Sequence, residues 1–367
     1  MIKIIAFIKK DIILFIAAVF AFVSMIFVPP GIQYLSYIDY SVPVILFCLM
    51  IVVAGVKKLG VFDFLSQKLL AKTKSVKFLT VLLVNCVFVS SMLVTNDVAL
   101  ITFIPITIRL FALSGRKKLI FAVVMETLAA NLGSMLTPFG NPQNLYIYSF
   151  YRLNMLSFFK YVLPVGAIGY IVIIGLILVS QNGCMEFSLE QKTGPADIKK
   201  PLFYYAGLFL LCVTAVMHIL DFRICLIIIL AATLIVDRKL LKEADYGLLL
   251  TFVCFFVFVG NLERIDAVKN ALSFFLHGRV FLVSVLSSQV ISNVPAAIMI
   301  SHFTTDVRQI LLGVNIGGLG TPVASLASLI SFKLYSGSEG SAPGKFLGAF
   351  TIYNISILLL LSAIFLF

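Results

Sequence analysis

Two short polar stretches lie inside long apolar runs of this chain, and their side chains are of the types that bind ions. The first, Thr95-Asn96-Asp97, falls in the run 81–108, where Asp97 is the sole charged residue. The second, Ser292-Asn293-Val294, falls in the uncharged run 280–301. Hydroxyl and amide oxygens, together with carbonyl groups of broken helices, suit Na⁺, and helix N-termini favour anions. A surface loop between two helices would explain one stretch, but the presence of two favours a binding site.

Asp97 has no acidic counterpart in the second stretch, where Val294 occupies the equivalent position. A charged side chain in hydrocarbon costs roughly 2.5–3.5 kcal/mol on insertion scales, so it is seldom kept there without a function. Three roles fit Asp97: it binds a coupling cation, it carries a proton, or it pairs with a nearby base.

The composition indicates a membrane protein. Of the 367 residues, 61% are hydrophobic and 12% are charged, whereas about a quarter of an average chain is charged. Apolar runs of about 20 residues recur along the sequence, which predicts a polytopic helical protein in the lipid bilayer. The formal net charge is +12, and Lys and Arg cluster in alternate loops. The positive-inside rule explains this pattern, so no nucleic-acid partner is expected.

The basic residues also predict the topology. Lys3, Lys9 and Lys10 place the N-terminus in the cytoplasm. The expected membrane is the cell membrane, plasma or inner. Basic residues flank the segment 78–113 on both sides, so both of its ends are expected at the cytoplasmic face. We therefore predict a re-entrant hairpin with Thr95-Asn96-Asp97 at its tip. Two complete crossings also fit the charges.

Two further segments contain residues that break helices. Gly133 to Pro142 holds two prolines and two glycines, and Gly317 to Pro322 holds three glycines before its proline. Broken backbone at membrane depth is tolerated only where it faces protein or a water-filled site. We therefore predict two discontinuous helices, with the breaks beside a binding site.

An internal repeat relates the two halves of the chain, because matched residues occur in the same order in both. The matched pairs are Asp39/Asp245 and Cys48/Cys254 (offset 206), Ser91/Ser288 and Asn96/Asn293 (offset 197), and Asn131/Asn315, Gly133/Gly317, Thr137/Thr321 and Pro138/Pro322 (offset 184). An odd number of predicted crossings separates Asp39 from Asp245, so the second copy is expected to be inverted. Inverted repeats with discontinuous helices are typical of secondary transporters.

The predicted fold is therefore an all-α polytopic membrane protein with two inverted-topology repeats, each with a re-entrant hairpin and a discontinuous helix. The first repeat is expected at residues 1–180, a polar cytoplasmic linker at 181–200, and the second repeat at 201–367. A lysine-rich amphipathic segment, 62–77, is expected at the cytoplasmic interface. The mixed-charge segment 261–279 is expected outside.

The sequence lacks the motifs of an enzyme. Its three histidines are scattered, its six cysteines have no metal-ligand spacing, and no nucleophile elbow, zinc motif or phosphate loop is present. We expect no catalytic residue and no cofactor other than Na⁺ or H⁺ as a coupling ion. Glu126, the sole acid of the segment 119–151, is interpreted as a structural residue near the cytoplasmic end of its helix.

At these motifs the chain resembles the ion transporter superfamily, which includes divalent-anion/sodium symporters, citrate transporters, arsenite pumps and one group of Na⁺/H⁺ antiporters. That family places a Ser-Asn-Thr motif at each of two hairpin tips, and its glycine-rich break is similar to Gly133 to Asn144. The chain departs from the pattern because neither tip has the third-position Thr and the second break lacks a Pro-Pro-Asn run. The Asn96-Asp97 pair is more like the arsenite-pump and antiporter branches.

The resemblance implies where ions and substrate bind. The implied ion ligands are Ser91, Thr95, Asn96 and Gly140 in one site and Ser288, Asn293 and Ala324 in the other; Asp97 joins the first site as a candidate from its own chemistry. The candidate substrate ligands lie at the tips and breaks, at Thr95, Asn96, Thr137, Pro138, Asn141, Asn144, Ser292, Asn293, Thr321, Pro322 and Ser325. The resemblance also implies a homodimer in which the hairpins and broken helices move past a scaffold, as in an elevator.

The sequence therefore predicts a secondary active transporter that moves a small anion, a carboxylate or an inorganic oxyanion, with Na⁺ or H⁺ as the coupling ion. Arsenite or antimonite efflux, or Na⁺/H⁺ antiport with protons carried by Asp97, is the alternative within transport. A channel and a noncatalytic membrane assembly subunit are the alternatives from other classes.

Overall fold

The computed structural model describes residues 12–61, 75–112, 114–180 and 199–366 of the chain. These residues form α-helices joined by short connections, and one 3₁₀-helix, Arg238–Glu243. The helices are α1 (Ile12–Phe27), α2 (Tyr34–Tyr37), α3 (Ser41–Lys58), α4 (Val76–Val94), α5 (Asn96–Phe111), α6 (Arg116–Ser134), α7 (Pro142–Phe150), α8 (Met155–Ser180), α9 (Lys199–Val216), α10 (Phe222–Val236), α11 (Tyr246–Glu263), α12 (Asp266–Leu276), α13 (Val280–Ile291), α14 (Asn293–Ser301), α15 (Val307–Gly317), α16 (Leu326–Ser336) and α17 (Pro343–Phe365).

Long apolar helices confirm the predicted class, an all-α polytopic membrane protein. Within the described ranges, α3, α4, α8, α11 and α17 are long and apolar enough to cross a bilayer. The count rises from five to six if α12 and α13, bent by 113° at their junction, form one span. Large apolar side chains such as Ile171 on α8 and Leu359 on α17 are exposed, as lipid-facing surfaces require.

Each polar tip is a one-residue junction between two helices that pack against each other. Thr95 joins α4 to α5 with φ 79° and ψ 151°, and Ser292 joins α13 to α14 with φ 74° and ψ 156°. These angles lie close to a region that is almost confined to glycine, and cost of the order of 1–3 kcal/mol. Tertiary contacts of the tips must therefore hold both residues. Because α4 alone is long enough to cross a bilayer, entry of the first hairpin from one face stays a prediction.

Both predicted breaks are present, and local capping explains where the first broken helix resumes. The first broken helix consists of α6 and α7, and the second of α15 and α16. The Asn141 side chain accepts a hydrogen bond from the Asn144 backbone N–H at 2.9 Å, and Pro142 occupies the first turn of α7. An asparagine cap followed by proline is a strong signal for a helix start.

The helices pack as two clusters. We call α4–α8 and α13–α17 the hairpin cluster; in it α4 and α5 pack against α6, α13 and α14 against α15, and α16 against both α5 and α6. We call α1–α3 and α9–α11 the outer cluster; in it α1 packs against α11, and α9 and α10 against α3. The principal contacts between the clusters run from α7 to α3 and from α14 to α11.

The matched residues of the two halves occupy matched positions in this fold. The junction residues Thr95 and Ser292 are separated by the predicted offset of 197. The second half-helices start at Pro142 and Leu326, which are separated by the predicted offset of 184. The inversion of one half relative to the other across the membrane and the domain bounds stay predictions.

One interpretation of the sequence changes, and one segment contains a helix that was not predicted. Glu126 is not near the end of its helix, because it lies ten positions after Arg116 at the start of α6, and its side chain is fully buried. The segment 261–279 contains the helix α12, whose half-buried Val268 and Leu272 and buried Leu276 recur every four residues on one face. The N-terminal lysines, most of the segment 62–77 and most of the linker 181–200 lie outside the described residues.

Gly133 allows α6 to approach α4 closely. A β-carbon at this position would lie 2.3 Å from the Phe88 carbonyl oxygen and 2.4 Å from Ser91 Oγ. Because a backbone oxygen in a helix cannot rotate away, we expect Gly133→Ala to lower the free energy of unfolding by about 1–3 kcal/mol. Thermal unfolding can be followed by the reaction of a dye with the buried cysteines, since the chain has no tryptophan.

Gly175→Ala in α8 is the matched control, because nothing lies within 4 Å of a β-carbon added there. Alanine is a better helix former than glycine, so this variant should be as stable as the wild type or more stable. Equal losses of stability in the two variants would contradict the role of Gly133 in close packing.

Candidate functional site

The first hairpin tip contacts the break of the first broken helix. The backbone N–H of Asn96 donates to the Gly140 carbonyl oxygen at 3.2 Å. The side chain of Asn96 is buried; its Nδ2 donates to Asn131 Oδ1 at 3.3 Å, and its Oδ1 accepts from the Asp97 N–H at 3.0 Å. The structure therefore brings together Thr95, Asn96 and Gly140, which the sequence predicts as ligands of one ion.

The second tip makes the same backbone contact in the second half. The N–H of Asn293 donates to the Ala324 carbonyl oxygen at 3.0 Å, and Ser292 Oγ donates to the same oxygen at 3.3 Å. The offsets of 197 and 184 carry Asn96 and Gly140 onto Asn293 and Ala324. A carbonyl oxygen has two lone pairs, so the Gly140 carbonyl keeps one for a cation, whereas the Ala324 carbonyl accepts two hydrogen bonds.

The break threonines connect each break to the hairpin beside it. Thr137 Oγ1 donates to the Met92 carbonyl oxygen at 2.7 Å, and Thr321 Oγ1 donates to the Gln289 carbonyl oxygen at 3.2 Å. Gln289 strengthens the second contact, since its Oε1 accepts from the Thr321 N–H at 2.8 Å and its Nε2 donates to the Gly317 carbonyl at 2.6 Å. Both threonine protons are thus used within the protein, and the hydroxyl lone pairs remain for a ligand.

A network of buried amides joins the two broken helices. Asn131 Oδ1 accepts from Ser325 Oγ at 3.0 Å as well as from Asn96. Asn315 Nδ2 donates to Asn144 Oδ1 at 2.6 Å, and Asn315 Oδ1 accepts from Asn141 Nδ2 at 3.3 Å. The structure therefore unites the predicted substrate residues Asn96, Asn141, Asn144 and Ser325.

Asn131, Asn315 and Gln289 are the members of this site that the sequence-based prediction missed. Asn131 and Asn315 were matched between the halves but were not predicted to be site residues. The signal was present, because each asparagine lies near the end of the half-helix that precedes a break, where a buried amide needs a partner. Gln289 carries no such signal in the sequence.

The serines of the two predicted ion sites lie where the broken helices pack closely against the hairpins. Ser91 Oγ donates to the Phe88 carbonyl at 2.8 Å, and Ser288 Oγ donates to the Ser284 carbonyl at 2.7 Å. Each hydroxyl satisfies its proton inside its own helix, so its oxygen is free to accept a ligand. A β-carbon at Gly317 would lie 2.8 Å from Ser288 Oγ, the counterpart of the contact between Gly133 and Ser91.

Asp97 carries the charge of this site. Its Oδ1 is buried and has no hydrogen-bond partner, and neither of the two ion pairs within the described ranges includes it. The amide network itself contains no Lys, Arg or His. The predicted prolines make no resolved polar contact; Pro138 is buried and Pro322 is half-buried. In the part of the chain that is described, no three His, Cys, Asp or Glu side chains are placed to hold a metal ion.

Comparison with known proteins shows which proteins the chain is similar to. A family model described as citrate transporter (CitMHS) matches residues 2–309. An uncharacterized transporter of Methanocaldococcus jannaschii is 35% identical over 329 residues, which cover 87% of this chain and 88% of that protein. Inner membrane protein YbiR of Escherichia coli is 30% identical over 307 residues, 81% and 80% of the two chains. A silicon efflux transporter of Oryza sativa subsp. japonica is 30% identical over 131 residues, 35% and 27% of the two chains.

The amide network generates a test of stability. Asn315→Ala would leave Asn144 Oδ1 buried without a partner, which costs about 1–3 kcal/mol, and would leave Asn141 Nδ2 with Ser134 Oγ as its remaining acceptor. Asn354→Ala is the matched control, because Asn354 is equally buried but bonds only to the Phe350 carbonyl of its own helix at 2.9 Å. We expect Asn315→Ala to lower the unfolding temperature more than Asn354→Ala does. The reverse order would show that the network does not hold the broken helices together.

Proposed function

The chain belongs to the citrate transporter (CitMHS) family, and from this we propose that it is a secondary active transporter for a small anion, coupled to Na⁺ or H⁺. Its family and relatives are transporters and not enzymes. Carboxylates and inorganic oxyanions are the proposed substrate classes. We propose that it works as a homodimer in the cell membrane, plasma or inner, with its N-terminus in the cytoplasm.

One observation carries the choice of an anion: four helix N-termini open on the amide network and its flanking tips. The helices α5 and α14 begin at the tips with Asn96 and Asn293, and α7 and α16 begin just after Asn141 and Ser325. Each helix N-terminus acts as roughly half a positive charge. Asn131 Nδ2 of the amide network is buried without a hydrogen-bond partner and supplements the helix ends, so an anion finds a donor without a basic side chain.

The cation is proposed to bind at each tip on the side opposite to the anion. The first site takes oxygens of Ser91, Thr95, Asn96 and Gly140, and the second takes those of Ser288, Asn293 and Ala324. The carboxylate of Asp97, whose Oδ1 has no hydrogen-bond partner, adds a negative charge to the first site. The second site is neutral, because Val294 is the counterpart of Asp97. The first site is therefore proposed to hold its cation more tightly.

A specific observation supports the second candidate, efflux of arsenite or antimonite or Na⁺/H⁺ antiport. The amide network has no basic side chain to select a strongly charged anion, and Asp97 offers a carboxylate for a cation or a proton. A relative that matches part of this chain is named as a silicon efflux transporter. Within this candidate, Asp97 is the residue through which the driving ion passes.

Counterflow in proteoliposomes tests the proposed function. Vesicles that hold one unlabelled carboxylate or oxyanion are tested for uptake of the labelled compound, with and without a Na⁺ or proton gradient. We expect gradient-dependent accumulation of at least one member, and at least a tenfold lower rate in Asn96→Ala and Asn293→Ala, which is about 1.4 kcal/mol. Arsenite or Na⁺ flux without any carboxylate counterflow would select the second candidate.

The exposed Asn270 on α12 provides the control variant, since Asn270→Ala changes an asparagine outside the site. Its flux should equal that of the wild type. Dissipation of the substrate gradient without accumulation would indicate a channel. Normal flux in both tip variants would favour a noncatalytic subunit.

Elevator movement of the hairpin cluster against the outer cluster is proposed from their boundary. Its centre is apolar and aromatic, with Tyr146 of α7 against Phe252 and Phe256 of α11. Polar contacts cross the boundary at helix ends, between Ser41 and Ser149 at 3.1 Å and between Glu263 Oε1 and His302 Nδ1 at 3.0 Å. Apolar surfaces impose no direction on a contact, so they favour sliding.

A cross-link between the clusters should stop an elevator. We expect Glu263→Cys with His302→Cys, in a chain whose six native cysteines are replaced, to lose flux when a short bifunctional thiol reagent joins them, and to regain it on reduction. Lys58→Cys with Asp237→Cys is the control, because these side chains touch within the outer cluster. Loss of flux in the control pair alone, or full flux in the linked test pair, would contradict the elevator.

A further inference from the structure

Glu126 is a second buried acid of the hairpin cluster, and the proposed transport cycle does not use it. It lies inside α6 with no exposed surface. Its Oε1 accepts a hydrogen bond from Thr107 Oγ1 on α5, and its Oε2 is buried without a hydrogen-bond partner. Neither ion pair within the described ranges includes Glu126.

The helices around α6 offer Glu126 no resolved positive partner. Cys86 on α4 lies within electrostatic range of the carboxyl group, and it adds no positive charge. The other charged or titratable residues on the described helices that pack against α6 are Lys77 on α4, Asp97 and Arg109 on α5, Lys160, Tyr161 and Tyr170 on α8, Lys333 and Tyr335 on α16, and Lys345 and Tyr353 on α17. None of these is hydrogen-bonded to Glu126 in the described structure.

If Glu126 were ionised, its Oε1 would accept one hydrogen bond from the neutral Thr107 hydroxyl, and its Oε2 would have no partner in an apolar interior. Such a charge needs a bound cation or a proton. Hard cations such as Ca²⁺ take six to eight oxygen ligands, whereas Glu126 and Thr107 supply three oxygens. The geometry therefore favours a proton.

A seam of polar side chains lies along the contact of α6 with α16, starting at Thr127, the residue after Glu126, and ending at the central amides. Thr127 Oγ1 donates to Ser331 Oγ at 2.8 Å, and Ser325 Oγ donates to Asn131 Oδ1 at 3.0 Å. Between these two contacts, Ser328 Oγ is buried and has no hydrogen-bond partner. Asn131 lies five residues beyond Glu126, about 7.5 Å along the helix axis.

The hairpin arm α5 makes a second connection to the site. Thr107, which donates to Glu126, and Asn96, which forms the tip, lie on the same helix, and α5 packs against both α6 and α16. A change in the charge of Glu126 thus acts on the hydrogen bond that ties this arm to α6.

We propose that Glu126 is a proton-exchange site of this protein, separate from the ion ligands at the tips. The step forms or breaks one O–H bond: Glu126 Oε2 takes a proton from water that reaches the seam, and returns it to water. The effect of this proton on transport rests on the proposed function, whereas the exchange itself does not.

Infrared spectroscopy of the full chain in lipid nanodiscs tests the exchange without any transport substrate. As the pH is raised from about 5 to about 9, a range wide enough to include the titration of a buried carboxyl group, the carbonyl band of the protonated acid should disappear in the wild type. Glu126→Gln should lose the part of that band that Glu126 contributes, whereas Asp97→Asn, which removes the other acid with a buried, unpartnered oxygen in the described hairpin cluster, should retain it. An unchanged titrating band in Glu126→Gln would assign it to another acid, and a Glu126 band that does not titrate would make Glu126 a permanently neutral structural residue. Either result overturns the proposal.

Thr107→Val provides a second test if Glu126→Gln does not fold. Loss of the donor removes a hydrogen bond that favours the carboxylate, so the acid band should persist to higher pH than in the wild type. Thr102→Val on the same helix is the matched control, because Thr102 Oγ1 donates to the Val98 carbonyl at 2.8 Å, whereas the hydrogen bond to Glu126 comes from Thr107. Equal midpoints in Thr107→Val and the wild type would also overturn the proposal.

The two proposals fail separately. A titrating Glu126 band with no counterflow of any compound would contradict the transport assignment and leave the proton site standing. Counterflow with no titrating Glu126 band would contradict the proton site and leave the transport assignment standing.

Discussion

A backbone N–H at the start of a hairpin's second helix donates to a carbonyl oxygen in a helix break, and this contact occurs once in each half of the protein. The pairs are Asn96 with Gly140 and Asn293 with Ala324. The first N–H groups of a helix and the carbonyls of a break have no partners inside their own helices, and an unsatisfied group costs several kcal/mol in hydrocarbon. Tip and break therefore satisfy each other. The same contact holds Thr95 and Ser292 in backbone angles that they would not adopt alone.

That constraint makes the hairpins and the broken helices one body. A tip cannot leave its break without exposing both groups, and the contacts from Thr137 to Met92 and from Thr321 to Gln289 add to the penalty. The amides Asn131 and Asn315 then join the first half to the second. On the proposed function, the ions and the substrate would be carried together by this body, since it holds every predicted ligand.

Much of this arrangement is predictable from the sequence, because local rules decide it. Hydropathy places the helices, Gly and Pro place the breaks, and a polar residue in an apolar run marks each tip. The pairing of Asn141 with Asn315, the role of Gln289 and the burial of Glu126 depend on which helix faces meet. No local rule gives that information for contacts between the halves. The helix α12 was predictable, since Val268, Leu272 and Leu276 show its period, but its mixed charge obscured the signal.

On the proposed function, the charge of the site gives a physical reason for coupling. An anion held by helix ends and amides gains only partial charges, and the nearby carboxylate of Asp97 repels it while Asp97 is ionised. A cation or proton on Asp97 removes that repulsion, so each ligand raises the affinity for the other by the same factor. A basic side chain at the centre would bind the anion without the cation, and coupling would weaken. On the proposed function, coupling therefore requires two features together: the amide network lacks Lys, Arg and His, and one tip carries one acid.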